Sequence, residues 1–430
     1  MLFCSISSKA GAGGRVMPDK PVLLTLALAG ALLAHSVTAE AEPSVIVKTV
    51  TVDRVVQADG GYTTLFHVER LATNVSAAHN IGQQTVEYGE SMETAEVVEA
   101  FTRKADGRIL AVDRTQIFPQ APPGSPRVPM FNDRKQKVIV FPDVTAQDMV
   151  VFTISRTHKP PFAGQFFGGD VFQRRLAFEE ARENITLPKA MAAHVEAQGV
   201  EHELEESTES ITHKFLYRNP RPTAAEPAAL SPWDTDPHYI ISTFPDYAAV
   251  ATAYRQIAAE KAAVMPRIQA LADEITAGTS GRREQAQKIY DWVSTHIRYV
   301  AVFLGNGGYE PHEAIKILEN GYGDCKDHVV LLEALLKAKG IASVPVLINS
   351  GNRYRAPEIA TPALFNHVLS YLPEFDLYAD STAGVAPFGT LPADEYGKPV
   401  ARADEIGASL TTLPLVTTEE NQENCRQRRS

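Results

Sequence analysis

The sequence predicts an α+β protein in two parts, an N-terminal antiparallel β-sandwich followed by a mixed α+β core. Three observations carry this. Strand-like alternation dominates residues 44–219. Five prolines then fall between 220 and 237. Helical periodicity begins after them. With 430 residues, 44% of them hydrophobic, the chain has material for more than one packed core. Its net charge of -11 argues against nucleic acid or an anionic membrane surface as the main partner.

The first 41 residues read as an export signal. Arg15 and Lys20 flank the uncharged run "PVLLTLALAGALLA" (21–34), which has signal-peptide length and is short for a bilayer span. "VTA" and "AEA" (37–41) fit a small-residue cleavage site. The expectation is an exported protein, periplasmic or extracellular, with no stable membrane span after cleavage. Cleavage removes Cys4. Cys425 lies in a polar tail, so Cys325 is expected to be a free thiol.

Within the sandwich, "SVIVKTVTV" (44–52) alternates with period two, and "YTTLFHV" (62–68) is β-branched and aromatic. "AFTRKADGRILAV" (100–112) is a hairpin pattern turning at Asp106-Gly107. "QKVIVFP", "DMVVFTISR" and "SITHKFLYR" continue the series, and the proline-rich loop "FPQAPPGSPRVPMFND" (118–133) is expected to be exposed. Residues 220–237 read as a semi-rigid spacer with Trp233 packed in it.

The core is expected over residues 238–395, with 396–430 as a tail. Ile268, Leu271, Ala272 and Ile275 share one helix face. Ala286, Ile289, Tyr290, Val293 and Ile297 form the stripe of a second helix, for which Thr279 or Ser280 offers a cap and in which Trp292 reads as core. The stretch "NGYGDCKDHVVLLEALLKAKGIA" (320–342) then places Cys325 where a Gly-rich turn becomes a helix. That helix is apolar nearly all round and is therefore expected to be buried. Asp324 is the expected N-cap and Gly340 the stop. Lys326 and Asp327 read as its solvated edge. Unpaired N–H groups at a helix start favour a thiolate and can hold an oxyanion.

A thiolate that attacks an amide needs a proton donor for the leaving amine, oriented by an acceptor. His367 in "FNHVLSYL" and Asp380 in "DLYADST" are the candidates. A four-residue turn at "PEFD" (373–376) pairs Leu372 with Leu377, and places His367 diagonal to Asp380 on one side of the ribbon. The Gly-Asp-Cys-Lys-Asp run, the His strand and the Asp strand, in that order, resemble the core of the bacterial transglutaminase-like superfamily. The β-rich region before it is similar to an uncharacterised domain that often precedes this core. The resemblance implies a papain/transglutaminase-like fold and thiol acyl transfer on peptide or side-chain amides; hydrolysis is expected ahead of cross-linking because water is at high concentration and nothing in the sequence marks an amine site. The substrate would be a peptide or protein of the cell envelope. Cys325 would be nucleophile, His367 base and Asp380 orienting acid. Asn306 and Tyr309 are candidates for the side-chain oxyanion donor.

His312 and His328 lie near Cys325 and Asp324, but no zinc-like spacing joins them, so neither metal nor cofactor is expected. Gly305, Gly307 and Gly308 lack the Lys-Ser/Thr of a phosphate loop and are expected to let the backbone approach the site. The rival expectation is a non-catalytic envelope binding module on the same fold.

Overall fold

The computed structural model describes residues 43–416 except 121–129, 133, 225, 227–228, 304–307, 385 and 403–408. The expected export signal, Cys425, Asn306, Gly305, Gly307 and most of the proline-rich loop therefore lie outside the described residues. Among the described residues, no helix is long and apolar enough to cross a membrane.

The alternating segments of the N-terminal region build an eight-stranded sheet. At its centre, strand Val45–Val56 pairs antiparallel with Tyr62–Ala72 and parallel with Ala177–Pro188, so the sheet is mixed rather than purely antiparallel. A second, three-stranded sheet of Gln83–Gly89, Arg134–Val140 and Ile117–Gln120 supplies Val86 and Ile139 to the same apolar core as Val47, Val68 and Phe152.

Residues 220–237 are not a free spacer. Pro232–Thr235 form a helical turn, and buried Asp234 accepts the Tyr354 backbone N–H at 2.9 Å and lies 3.9 Å from Arg353 of the core. The Arg353 guanidinium also stands 5.1 Å from the Trp233 ring. The next strand, His238–Ser242, sits between Phe167–Val171 and His194–Gln198 in a three-stranded sheet, so the N-terminal region extends past the expected boundary at 237. Further on, Ala301–Phe303 runs parallel to Met130–Asn132. Strand ladders thus join the two parts, where proline content alone suggested separation.

In the core, helices Tyr247–Ala259, Pro266–Ile275 and Arg282–His296 pack with the central helix Cys325–Ala338. The expected stripe on Arg282–His296 is buried, with Ala286, Ile289 and Val293 fully so. Its N-cap is Gly281, without a side-chain cap, rather than Thr279 or Ser280. Beside the helices lies a five-stranded sheet ordered Leu377–Ala379, His367–Leu372, Val344–Ile348, Pro399–Arg402 and Ser409–Thr412. Its last two strands fall in residues expected to be tail. Short strands with few residues of clear alternation leave little periodic signal.

Candidate active site

The central helix starts where Asp324 accepts the Asp327 backbone N–H while the Asp327 carboxylate accepts the Asp324 N–H, a reciprocal capping box. A Cβ on Gly323 would lie 2.5 Å from the Asp327 Cβ, so this turn demands glycine. The helix stops at Gly340 (φ +67°), where Gly340 N–H bonds Lys337 O and Ile341 N–H bonds Leu336 O. Ten of its fourteen residues are buried, which makes it the core's central element.

Those ten include Lys326 and Asp327, at 4% and 1% exposure, which the apolar pattern placed on a solvated edge. Partners explain the difference. Lys326 is ion-paired with Asp324, and the Asp327 carboxylate accepts the His312 backbone N–H at 2.8 Å and meets its Nδ1 at 3.1 Å. Burial would lower the Lys326 ammonium, but the charges of Asp324, Cys325 and Asp327 raise it, so a cation is held beside the thiol.

Cys325 is half-buried and free, at the first position of this helix. Its own N–H and that of Lys326 have no intrahelical acceptor by helix geometry. His367 opens the strand His367–Leu372, and the observed hairpin pairs Leu372 with Leu377 and Ser370 with Ala379 across the turn Pro373–Phe375. Asp376 takes φ +47° there, and Tyr371 Oη donates to its carboxylate at 2.8 Å. This register brings His367 Nε2 to 3.1 Å from Asp380 Oδ2. The structure thus draws Cys325, His367 and Asp380 together. Burial would lower the imidazole, but the charge and hydrogen bond of Asp380, joined by a hydrogen bond to Cys325, raise it well above its usual range.

Asp380 is almost fully buried, which alone would raise it. The His367 charge and hydrogen bond, with Thr382 donating from N at 2.9 Å and Oγ1 at 2.7 Å to Oδ1, hold it well below the carboxylate range. Tyr290 Oη lies 3.0 Å from the Asp380 carbonyl oxygen and 2.9 Å from that of Ala386, which fixes the backbone.

Sequence reasoning missed a third carboxyl. Glu395 is buried, with Oε1 3.6 Å from His367 Nε2. Burial and the adjacent Asp380 charge push it up to about 9, so it is a neutral acid at pH 7. Nothing in "PADEYGK" signals this, because the position is set by a loop fold. His367, Asp380 and Glu395 offer ligand atoms within 4.8 Å of one another and are the described residues that could hold a metal. Doing so would take Nε2 from Asp380 and a proton from Glu395. His328 stands apart: its Nδ1 meets Ser381 O at 3.1 Å, and burial pushes it down to about 4, so it is neutral.

A cavity opens beside Cys325 and His367. Gly308 (φ +77°) and Tyr309 line it, as does Tyr254 from helix Tyr247–Ala259. The hydroxyls of Tyr254 and Tyr309 are both buried without a partner. Burial first, then the Cys325 charge, raises Tyr254, whereas Tyr309 is raised by burial alone. Of the two, Tyr254 is the hydroxyl that feels the thiol.

Residues 58–225 match a domain of unknown function, DUF3857, and residues 269–353 match the transglutaminase-like superfamily. No curated protein matches the chain. Among solved structures, "a putative protease" from Parabacteroides distasonis superposes with a TM-score of 0.71. It covers 87% of this chain and 72% of its own at 17% identity, a likeness of fold. An M1 zinc metallopeptidase from Deinococcus radiodurans, at 10% identity over 46% of this chain and 42% of its own, reaches only 0.27 and carries no argument.

Proposed function

We propose that this chain, whose residues 269–353 match the transglutaminase-like superfamily after a DUF3857 match at 58–225, is an exported cysteine peptidase or amidase acting on envelope peptides or proteins. One observation carries the reading. A thiol at a helix start shares the lining of one cavity with a histidine that is itself paired with a buried carboxylate.

The proton that His367 later gives up comes from the Cys325 thiol, which leaves the sulfur free to attack. Sulfur attacks the amide carbonyl carbon, and the oxygen takes up the negative charge near the first-turn N–H groups and Lys326. His367 gives its proton to the nitrogen as the carbon–nitrogen bond breaks, and amine leaves. Water then gives a proton to His367 and its oxygen to the thioester carbon, and the carbon–sulfur bond breaks. Asp380 stays ionised throughout and holds the imidazole. The apolar run before residue 42 supports export.

The test is acid-quenched intact-mass analysis of the whole chain with fluorescent casein, alongside incorporation of a fluorescent primary amine. Casein hydrolysis with an acyl adduct on Cys325, and neither in Cys325→Ala, is the expected result. Amine incorporation without hydrolysis would make it a cross-linking enzyme. No adduct, no cleavage and no incorporation would leave a binding module on the same fold. The alanine variant should keep its fold, at a cost of about 1–2 kcal/mol for a small side chain at a helix end.

A further inference from the structure

The cavity beside Cys325 is built from both parts of the chain. Val250, Tyr309, Leu347, Phe365 and Val368 come from the core, and Phe162 comes from the N-terminal region. It offers about 40 Å³ to the centres of water molecules, room for roughly three waters and hence for the volume of a phenyl ring or a branched aliphatic chain. Its wall is set rigidly. The Phe162 ring lies 5.0 Å from that of Tyr309 at 62° and 5.7 Å from that of Phe244 at 87°, with Phe167 at 6.2 Å from Tyr309. These are edge-to-face contacts of the kind that order aromatic clusters. Phe162, Phe244 and Tyr309 are each buried. An apolar space lined by rings, with a nucleophile at one end, favours a large apolar occupant over water.

We propose that this cavity receives a large apolar, aromatic side chain on the acyl side of the cleaved bond, and that the N-terminal region, through Phe162, supplies the wall that selects it. The proposal rests on Cys325 as nucleophile. It gives the β-rich region a role in the chemistry, as part of the substrate site. The buried, unpartnered Tyr254 hydroxyl completes the argument. Buried polar groups in folded proteins are hydrogen-bonded with few exceptions. A substrate seated here would bring its main-chain carbonyl to that hydroxyl, close to the sulfur whose charge it feels.

The experiment labels the whole chain with three acetyl-dipeptidyl chloromethyl ketones, Gly-Gly, Phe-Gly and Gly-Phe, and with iodoacetamide. In the ketones, sulfur displaces chloride from the methylene carbon, so a carbon–sulfur bond replaces carbon–chlorine. Burial of a phenyl group should speed Cys325 labelling by one of the Phe probes at least about tenfold over Gly-Gly. In Phe162→Ala that ratio should collapse to within about twofold of unity, and in Phe162→Leu, which keeps the apolar packing, it should fall part-way. Because the readout is a ratio, a general change in thiol reactivity cancels. Equal rates for all three ketones in the wild type overturn the pocket. A preference that survives in both Phe162 variants overturns the role of the N-terminal region. Failure of iodoacetamide and ketones alike to mark Cys325 overturns the nucleophile and the pocket together.

Discussion

In the N-terminal region Glu183 is buried beside Tyr239, which donates to it, and near Arg54; in the core Asp380 is buried beside His367. Both carboxyls are at most 3% exposed. Glu183 is pushed up to about 8, by burial and by the Asp170 charge, against the smaller opposing pull of Tyr239 and Arg54. Asp380 suffers the same burial and stays ionised. The difference lies in the neighbours. Each has a second acid close by, Asp170 and Glu395, but Glu183 has a neutral phenol as its donor and Arg54 only as a weaker charge partner. Asp380 has a cationic imidazole and two donors from Thr382. Burial sets the cost of a charge, and the donors decide whether the charge is kept. A carboxyl that stays charged can orient and stabilise an imidazolium, and one that becomes neutral can only pack and donate.

The largest expected effect comes from making the two carboxyls alike. Asp380→Asn keeps the volume and an acceptor but removes the charge. Iodoacetamide labelling of Cys325 at neutral pH should slow by on the order of 100-fold, since the imidazolium partner is lost. Glu183→Gln, which reproduces the neutral form already present, should change that rate by less than about threefold, as expected for an independent site. If the two variants slow equally, the two carboxyls do not differ in role.

Stability against pH sharpens the same contrast. Glu183 has a folded value near 8 against an ordinary 4.5. The unfolded chain therefore releases this proton first, and stability is full below about 4.5 and drains as pH rises through 8. Glu395, near 9, drains over a similar window. Asp380 has the opposite sign: its depressed value gives stability above the ordinary 3.8 that is lost as pH falls. Thermal unfolding of Glu183→Gln should therefore match the wild type near pH 5 and exceed it by pH 8. Parallel profiles would mean that Glu183 is ionised in the folded protein.

How much of this was legible in the sequence follows from the range of the interactions. The caps Asp324 and Gly340 and the PEFD hairpin are local, and a residue type at a fixed offset announces each one. The juxtaposition of His367 with Asp380 follows from that hairpin's register. Lys326 and Asp327 were misplaced because their burial depends on partners, Asp324 and His312, that pattern counting ignores. Glu395, Tyr254 and Phe162 reach the site from a loop, a neighbouring helix and the other part of the chain. The strand His238–Ser242 and the strands after residue 395 likewise draw their order from distant partners. Proline spacing read residues 220–237 as a spacer and said nothing about the helical turn Pro232–Thr235 or whether Asp234 would be tied to Arg353.

The smallest expected effect tests whether donors alone keep the Asp380 charge. Asp380 Oδ1 accepts from both the backbone and the hydroxyl of Thr382. Thr382→Val preserves the branched shape and the N–H but deletes the hydroxyl. One of the two bonds to this oxygen is then lost inside a buried site, where a hydrogen bond to a charged group contributes about 1.5–3 kcal/mol. The remaining donors, His367 and the backbone, should still hold the carboxylate ionised at neutral pH. Cys325 labelling should therefore slow only about three- to tenfold, well short of Asp380→Asn. The acid loss of stability should be smaller and should end at a higher pH, because the folded value moves back towards its ordinary one while the unfolded value that sets the onset is unchanged. Thr382→Ser restores the hydroxyl and should recover most of both. A serine variant as slow as the valine one would trace the effect to packing of the branched side chain. A valine variant indistinguishable from wild type would leave the imidazolium as the group that keeps Asp380 charged, and Thr382 as a simple turn residue.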